Sequence, residues 1–460
     1  MTDATATLPL SPPLPAAGRA VARRPRPVVV DVLAAAAGVG LGVTVGLGVV
    51  GESAGSLRAA GGVATASGRL TGLVGTYLML IVLLLVARVP ALERAVGQDR
   101  LVRWHRRLGP WPLVLLGAHG ALICVGYAQQ ARTGVWHELG VLLGSYPGVL
   151  AATVGFGLLV MAGVTSARIA RRRMSHETWW SVHLYTYLAA ALSFSHQLAT
   201  GAAFVGHPAT RTWWTILWLG TAGLALVYRV GLPLWRSARH QLRVVDVRPE
   251  APGVVSLILR GRAMDRLAVA GGQFFQWRIL KPGLWWQAHP YSISALPHGA
   301  YLRVTVKDLG DHSRALAALT PGTRVAVEGP YGAFTAHARG GDRVLLIGAG
   351  VGTTPIRALL EDLPRHVDTQ VIVRGSTADS VVLGDELAAL AARRGAGLHV
   401  LAGPRSRVAV DHRTLRRLVA DVADRDIYVC GPAGFTAEVL VAARRLGVPE
   451  HHLHHEDFQP

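Results

Sequence analysis

The chain has 460 residues, of which 51% are hydrophobic, and its formal net charge is +19. A chain of this length is expected to form two or three domains. We expect no nucleic-acid partner, because the arginines cluster in short segments beside apolar stretches, as they do in membrane proteins. Only two cysteines occur, Cys124 and Cys430, which excludes a disulfide framework and a four-cysteine iron–sulfur cluster.

The first half contains six apolar stretches, each close to the roughly 17–25 residues that span a membrane as a helix. The stretches are Val28–Val50, Leu70–Val89, Pro110–Ala128, Pro147–Ala167, Trp179–Ala199 and Trp213–Trp235. They predict a six-helix transmembrane bundle over residues 28–236, preceded by a disordered cytoplasmic tail over residues 1–27.

The arginines indicate how this bundle is oriented. Arg23, Arg24 and Arg26 precede the first stretch, and further arginines fill the second and fourth loops, whereas the first, third and fifth loops carry few. Positively charged loops stay in the cytoplasm, so we expect a multi-pass plasma-membrane protein with both termini cytoplasmic. The first stretch lacks a convincing cleavage site, and we interpret it as a retained anchor.

Two pairs of histidines lie in or beside the third and fifth stretches. His105 and His119 are fourteen residues apart, and His183 and His196 are thirteen apart. Each pair therefore spans roughly 20 Å along a helix, inside a hydrocarbon core about 30 Å thick. Neutral imidazole is an axial ligand of haem iron, and polar groups at this depth are usually functional. The pattern predicts two stacked haems, the inner one held by His105 and His183 and the outer one by His119 and His196.

The helical periodicity suits one pair better than the other. Fourteen residues at about 100° each return to within roughly 40° of the same face, whereas thirteen residues do not. A distorted turn or a displaced haem would have to absorb the mismatch between His183 and His196. The alternative is that these histidines only pack between helices, bonded to carbonyl groups. Two matched pairs on alternate stretches favour haem ligation.

After Arg239 the pattern changes to short strands with alternating apolar residues, separated by turn residues. The predicted strands are Leu242–Val247, Val254–Leu259, Phe274–Ile279 and Leu302–Val306. Strands at this spacing predict an antiparallel β-barrel, which we place at residues 240–336.

From Gly341 strands alternate with helices, which predicts an α/β domain with a parallel sheet over residues 340–460. The predicted strands are Val344–Ile347, Gln370–Val373, Leu398–Leu401 and Ile427–Cys430. The glycine-rich loop Gly348–Pro355 joins the first of them to a helix through Leu363. Glycines let the backbone approach a pyrophosphate, and a helix N-terminus favours its charge.

Several motifs occur in a fixed order in this second half. The segment His289-Pro290-Tyr291-Ser292-Ile293-Ser294 is followed by Gly310-Asp311-His312-Ser313, Glu328-Gly329-Pro330-Tyr331-Gly332, the glycine-rich loop, Cys430-Gly431-Pro432 and Glu456-Asp457-Phe458. In this order they resemble the ferredoxin–NADP reductase superfamily. Together with the paired histidines, nearly the whole chain after residue 27 resembles the ferric reductase and NADPH oxidase family. The histidine before Pro290 is the form used in its membrane branch.

This resemblance implies the two cofactor-binding domains and their residues. The barrel would bind FAD through His289, Pro290, Tyr291, Ser292, Ile293 and Ser294, and its pyrophosphate through Gly310, His312 and Ser313. The parallel-sheet domain would bind the nicotinamide dinucleotide through Gly348, Gly350, Val351, Gly352, Thr353, Thr354, Cys430, Gly431 and Pro432. Ser292, Cys430, Glu456 and Phe458 would surround the reacting flavin and nicotinamide rings. The alternative for Cys430 is a small buried hydrophobic residue, and the alternative for Phe458 is a C-terminal packing residue.

Arg374 and Ser376 end the second strand of the predicted nucleotide domain, where a 2′-phosphate would lie. They favour NADPH over NADH.

The predicted function is electron transfer from cytoplasmic NAD(P)H through FAD and two b-type haems to an external acceptor. Ferric chelates, dioxygen and a periplasmic partner protein remain alternatives for the acceptor, with ferric chelates favoured because no calcium-binding loop or similar feature indicates regulated oxidant production. Two rival hypotheses are a haem-free membrane anchor for a flavoreductase and a donor subunit for a periplasmic enzyme.

Overall fold

The computed structural model describes residues 27–377, 380–404 and 407–457. The chain forms two compact units, Pro25–Gly231 and Leu232–Pro460. The tail predicted for residues 1–27 lies outside the described residues, except for its last residue.

The first unit is helical throughout. Its helices are α1 Pro27–Val49, α2 Ala54–Arg58, α3 Gly62–Leu85, α4 Pro90–Val96, α5 Gln98–Leu108, α6 Pro110–Ala131, α7 Val135–Ser145, α8 Val149–Ser166, α9 Arg168–Arg171, α10 His176–Thr200 and α11 Pro208–Leu226, followed by a π-helical turn Val227–Gly231. Pro90, Pro110 and Pro208 open their helices, where a missing N–H costs nothing.

Among the described residues, five helices are long and apolar enough to cross a membrane, so a helical membrane-like unit is supported but the predicted count of six is not confirmed. They are Val28–Val49, Gly62–Leu85, Arg100–Ala131, Val149–Ser166 and Pro208–His240. The fifth predicted span falls on α10, which has 25 residues and is long enough but is not among the five. Its sequence contains His183, His196, Gln197 and several hydroxyl side chains, which lower its hydropathy. The two histidines predicted to bind haem are therefore among the residues that keep the mean hydropathy of α10 too low for it to be counted as a membrane span.

Small residues let α3 and α6 pack closely as antiparallel neighbours. A Cβ on Gly68 would lie 3.0 Å from the Ile123 side chain, and one on Gly75 would lie 3.0 Å from Cβ of Leu115. Glycines at such spacing allow two membrane helices to approach with large contact areas.

The second unit begins with helix α12, Leu232–His240, and an antiparallel sheet. Its strands are β1 Arg243–Ala251, β2 Val254–Arg260, β3 Phe274–Ile279, β4 His289–His298, β5 Tyr301–Lys307 and β6 Val325–Tyr331, with the short helix α13 Asp311–Leu316 between β5 and β6. The strand order is β1-β2-β5-β4-β3-β6, and a bridge between Arg243 and Arg324 joins the two edges. The predicted antiparallel barrel is confirmed.

The rest of this unit is a parallel sheet with helices on both faces. Its elements are β7 Arg343–Ala349, α14 Thr353–Asp362, β8 Asp368–Gly375, α15 Gly384–Arg394, β9 Gly397–Ala402, α16 His412–Leu418, β10 Asp426–Gly431, α17 Ala433–Arg445 and β11 Leu453–Asp457. The strand order is β11-β10-β7-β8-β9. Along β7, Val344 and Leu346 pack in one core, and Leu345 and Ile347 pack in the core on the opposite face. The four predicted strands are confirmed, and β11 is additional.

Candidate functional site

The four histidines of the helical unit meet as the two predicted pairs. The ring centroids of His105 and His183 are 6.0 Å apart, and those of His119 and His196 are 6.4 Å apart. Two imidazoles on opposite sides of one metal ion, with metal–nitrogen bonds of about 2 Å, would have centroids about 6 Å apart. Among the described residues, no three His, Cys, Asp or Glu side chains are grouped so that they could hold a metal ion.

Hydrogen bonds leave Nε2 of three of these rings available as a ligand atom. Nδ1 of His105 donates to the Val82 carbonyl at 3.1 Å, and Nδ1 of His119 donates to the Gly68 carbonyl at 2.8 Å. The Ser166 hydroxyl donates to the Ala162 carbonyl, so at its 3.4 Å contact with Nδ1 of His183 the imidazole is the donor. A proton fixed on Nδ1 leaves the lone pair on Nε2, which is the usual arrangement behind a metal-bound histidine.

Trp179 supports His183 from the same helix. Its indole ring stacks on the imidazole at 5.1 Å between centroids, and its N–H donates to the Ser166 hydroxyl at 3.0 Å. The Arg171 guanidinium lies over the Trp179 ring, 4.9 Å from its centroid. Neither supporting residue was predicted from the sequence. Trp179 lies four residues before His183, a spacing that places both on one helix face and could have indicated the contact.

The thirteen-residue spacing on α10 is accommodated without a break in the helix. The planes of His105 and His183 make an angle of 78°, whereas those of His119 and His196 make an angle of 40°. The two α10 rings thus meet their partners in different orientations, which is consistent with side chains that leave the helix in different directions.

A cavity of about 750 Å³ surrounds the outer histidine pair. His119 and His196 line it, together with Gly72, Phe156 and Tyr127. Nδ1 of His196 is buried and has no hydrogen-bond partner within the described part of the chain. The volume is in the range of cofactor sites, which is roughly 300–1,000 Å³.

The motif that begins β4 gathers aromatic and polar groups at one end of the barrel. The ring centroids of His289 and His312 lie 3.8 Å apart, and the Tyr291 hydroxyl is 3.4 Å from Nδ1 of His312. Burial raises the pKa of the Tyr291 hydroxyl, so it stays protonated. The Ser292 hydroxyl is buried with no partner among the described residues. A buried hydroxyl without a partner costs free energy, so this serine is suited to a bound ligand.

The remaining predicted flavin residues have different surroundings. Ile293 and Ser294 are buried, and the Ser294 hydroxyl accepts bonds from Arg303 and Thr305 at 3.1 and 2.8 Å, so its environment is structural. Pro290 is exposed. Gly310 and Ser313 lie at the start of α13, where the Ser313 hydroxyl accepts a bond from the Leu309 N–H at 2.8 Å.

The predicted nucleotide residues meet at the carboxyl edge of the parallel sheet. Cys430 on β10 is in register with Gly348 on β7 and with Glu456 on β11. The glycine-rich loop runs against β10 so closely that a Cβ on Gly352 would lie 2.2 Å from the Cys430 carbonyl oxygen. Gly350 has a φ of +57°, which glycine adopts easily.

The hydroxyls of Thr353 and Thr354 form hydrogen bonds within this loop. They donate to the carbonyls of Gly350 and Val351 at 2.7 and 2.8 Å. Backbone N–H groups at such a turn remain the natural donors to phosphate. Gly431 and Pro432 follow Cys430 and lead into α17. Phe458 lies outside the described residues.

Arg374 has a structural role beside its predicted one. Its Nε donates to the Val408 carbonyl at 3.1 Å and its Nη2 to the Gly403 carbonyl at 3.3 Å. Ser376 lies just beyond β8 and donates to the Ser380 hydroxyl at 3.1 Å. Contact of either residue with a 2′-phosphate stays a prediction.

An ion network that the sequence did not reveal joins the barrel to the parallel-sheet part. Arg303 on β5 binds both carboxylate oxygens of Glu386 on α15, at 2.7 and 3.0 Å. Arg357 on α14 is only 3% exposed and contacts Glu386 at 2.6 Å and also Glu361. Glu361 accepts the Leu296 N–H of β4 at 2.8 Å. Burial alone would raise the pKa of Glu386, but the bond from Arg303 and the charge of Arg357 outweigh it and hold the pKa below its ordinary value.

Sequence profiles of three protein families match the chain in succession. They are described as "Ferric reductase like transmembrane component" over residues 71–194, "FAD-binding domain" over residues 241–335 and "Oxidoreductase NAD-binding domain" over residues 346–440.

Individual proteins match over part of the chain. An NADPH oxidoreductase of Mycobacterium tuberculosis (strain ATCC 25618 / H37Rv) is 28% identical over 211 residues, which are 44% of this chain and 56% of that protein. Respiratory burst oxidase homolog protein A of Solanum tuberosum is 25% identical over 214 residues, 42% of this chain and 21% of that protein. In both cases the chain spans less than two thirds of the relative's length. The solved flavohem-like FAD/NAD binding domain of nitric oxide dioxygenase from Vibrio cholerae O1 biovar El Tor is 26% identical, with a TM-score of 0.42, and covers 48% of this chain and 99% of its own.

Proposed function

Since the chain belongs to the ferric reductase and NADPH oxidase family, we propose that it carries electrons from cytoplasmic NAD(P)H across the plasma membrane to an acceptor on the outer face. The observation that carries this proposal is the facing of His105 with His183 and of His119 with His196, at 6.0 and 6.4 Å between ring centroids. A transmembrane electron path requires two redox sites at different depths of the membrane, and the two facing histidine pairs would provide the two binding sites.

The residues present fit two b-type haems. Haem iron bound by these histidines would supply the ability to accept and release single electrons. His105, His119 and His183 keep Nε2 available because Nδ1 is hydrogen-bonded, and the outer pair opens into a cavity of haem-like size. The arginine-rich segments before α1, between α3 and α6 and after α8 support an orientation in which His105 and His183 lie toward the cytoplasm.

The residues present also fit FAD and a nicotinamide dinucleotide. Bound FAD would supply hydride uptake and single-electron transfer, a chemistry that belongs to the cofactor. Here the unpartnered Ser292 hydroxyl would contact the flavin ring, and Tyr291 and His289 would line it. Cys430 and Glu456, in register on neighbouring strands, would flank the nicotinamide, while the loop Gly348–Thr354 would hold the pyrophosphate.

For the acceptor we propose ferric chelates. Arg58 and Arg132 are exposed and are placed on the outer side by the proposed orientation, so they can attract an anionic chelate. Arg69 forms a 3.0 Å ion pair with Glu52, and both line the cavity around the outer pair.

Rapid mixing of the purified full chain with NADPH tests the proposal. We expect the sharp absorption bands of two reduced b haems to appear before any added acceptor is reduced, and ferric citrate to reoxidise them. Faster reoxidation by dioxygen than by ferric citrate would reassign the acceptor, and reoxidation only by a co-purifying protein would make the chain a donor subunit. A spectrum without haem bands would leave only a membrane-anchored flavoreductase.

A further inference from the structure

The turn between β3 and β4 exposes two neighbouring tryptophans. We call residues 280–287 the tryptophan turn. Trp285 is 60% exposed, Trp286 is 41% exposed and Leu280 is 45% exposed. Large apolar side chains grouped on a surface mark a site of interaction with a partner or a membrane.

Hydrogen bonds and one half-buried side chain fix the shape of this turn. Leu284 packs against the barrel core. The N–H groups of Leu284 and Trp285 donate to the Lys281 carbonyl at 3.0 and 3.1 Å, and Arg278 donates to the Trp285 carbonyl at 2.9 Å. The indoles are therefore held outward by an ordered backbone, so little conformational entropy remains to be lost on binding.

Four cations lie at the same end of the barrel. The Leu280 N–H donates to the Arg324 carbonyl, and Arg324 is bridged to Arg243 by backbone pairing. Arg278 and Lys281 belong to β3 and to the turn itself. Within the described part of the chain, none of these four cations has a carboxylate partner in a salt bridge. This end of the barrel is thus positively charged, and the indole rings of Trp285 and Trp286 are exposed beside the charges.

We propose that the tryptophan turn binds the headgroup region of an anionic bilayer and so fixes the barrel at the membrane surface. Tryptophan favours the membrane–water interface because its ring is apolar and its N–H is polar. Lysine and arginine near the cytoplasmic surface are attracted to anionic lipids. A protein partner is less favoured, because exposed indoles combined with a group of cations match the two preferences of an anionic membrane surface.

The chain connection makes a bilayer available to this turn. Helix α12 follows α11 through the short π-helical turn Val227–Gly231, so the barrel begins a few residues after a candidate span. Arg236 and Ser237 of α12 contact the carbonyls of Gly329 and Val327 on β6, the strand next to β3.

The inference rests on the proposed function and deepens it. The tryptophan turn ends two residues before His289, where the predicted flavin residues begin. Binding of the turn to lipid would hold that end of the barrel beside the membrane that the electrons must enter.

The experiment uses the full chain in nanodiscs and reports docking rather than electron transfer. A fluorescent probe is attached at Pro282→Cys, which leaves both tryptophans in place, and in a second variant at Val400→Cys, an exposed position on β9. The nanodiscs contain phosphatidylcholine, with or without phosphatidylglycerol, and a lipid whose headgroup carries a spin-label quencher. The unsubstituted chain is the labelling control, since Cys124 and Cys430 are both buried.

We expect the probe at residue 282 to be quenched several-fold more than the probe at residue 400, and more strongly when phosphatidylglycerol is present. Adding Trp285→Ser and Trp286→Ser should reduce the quenching to the level seen at residue 400, and Lys281→Glu should remove the phosphatidylglycerol dependence. Flavin absorbance of each variant verifies that the barrel is folded. Equal quenching at the two positions, or full quenching in the double tryptophan variant, would overturn the proposal. Because quenching does not require NADPH or haem, its failure is distinguishable from failure of the proposed electron transfer.

Discussion

Gly72 of α3 faces His119 of α6 so closely that a Cβ at residue 72 would lie 2.6 Å from Nδ1 of the imidazole. The same nitrogen donates to the Gly68 carbonyl one turn earlier on α3. The position of the imidazole therefore depends on the absence of a side chain at residue 72.

Gly72→Ala should displace His119 and lower the occupancy of the outer haem. The added methyl group cannot fit without moving a ring that is held by a hydrogen bond, whereas the inner pair should keep its haem. Haem content per chain and the reduced absorption spectrum measure the effect. Gly157→Ala on α8 is the matched control, because no atom lies within 4 Å of its added Cβ. Equal haem loss in the two variants would show a general effect on the membrane unit.

His119→Ala should reduce bound haem from two to one per chain and abolish ferric reduction across the membrane. Each haem has its own ligand pair, so His105 and His183 should still bind theirs. Haem extraction and quantification give the stoichiometry. Two haems and full activity in this variant would contradict the ligand assignment.

Glu386→Gln should destabilise the unit Leu232–Pro460 by about 3 kcal/mol at neutral pH, because it removes the carboxylate that Arg303 binds through two hydrogen bonds and one of the two carboxylates that contact the buried Arg357. Glu450→Gln is the control, since its pair with Arg444 is exposed and such pairs contribute at most about 1 kcal/mol. Unfolding midpoints of the two variants measure the difference.

The effect of Glu386 should also depend on pH. Its pKa is held below the ordinary value, so the carboxylate stabilises the folded state above the ordinary pKa, about 4.3, and this stability disappears as the pH falls through the lower folded-state value. The difference between wild type and Glu386→Gln should shrink below about pH 4. A difference that is constant from neutral to acidic pH would mean that the charge of Glu386 is not what stabilises the unit.

Arg374→Ala should raise the KM for NADPH by roughly ten- to a hundredfold, because a charge-assisted bond to the 2′-phosphate contributes about 1.5–3 kcal/mol. The KM for NADH should change little. Steady-state kinetics with both nucleotides decide the matter. Equal increases would indicate that the guanidinium acts by holding the Gly403 and Val408 carbonyls, and a wild-type preference for NADH would contradict the NADPH assignment.

Residues 232–460 expressed alone should form a soluble flavoprotein that oxidises NAD(P)H with artificial acceptors. The same unit cut at residue 240 should be less stable, because it loses α12 and the bonds of Arg236 and Ser237 to β6. Flavin content and the unfolding midpoint compare the two proteins. Equal stability would show that α12 is dispensable, and insolubility of both would contradict an independent unit.

Local patterns allowed the strands and the glycine-rich loop to be predicted, because alternation and turn residues are encoded by near neighbours. The histidine pairs could be predicted since their spacing is regular and their residue type is rare in apolar segments. The carbonyl that holds His119 could not, because it lies 51 residues away in the sequence. Arg303 and Glu386, 83 residues apart, meet for the same reason only in the folded chain. The five residues of β11, Leu453–Asp457, are too polar to indicate a buried-edge strand.

The carbonyls that hold His105 and His119 belong to Val82 and Gly68 of one helix, and they are separated by fourteen residues, as are the two histidines. Helix α3 therefore supplies the hydrogen-bond acceptor for both imidazoles, and the spacing of its two carbonyls matches the spacing of the two histidines. A shift of α3 along its axis would break both hydrogen bonds together, so the orientations of the two imidazoles are coupled through this helix. An insertion or deletion of a single residue between Gly68 and Val82 would change the spacing of the two carbonyls, so that they could no longer hold both imidazoles, although all four histidines would still be present.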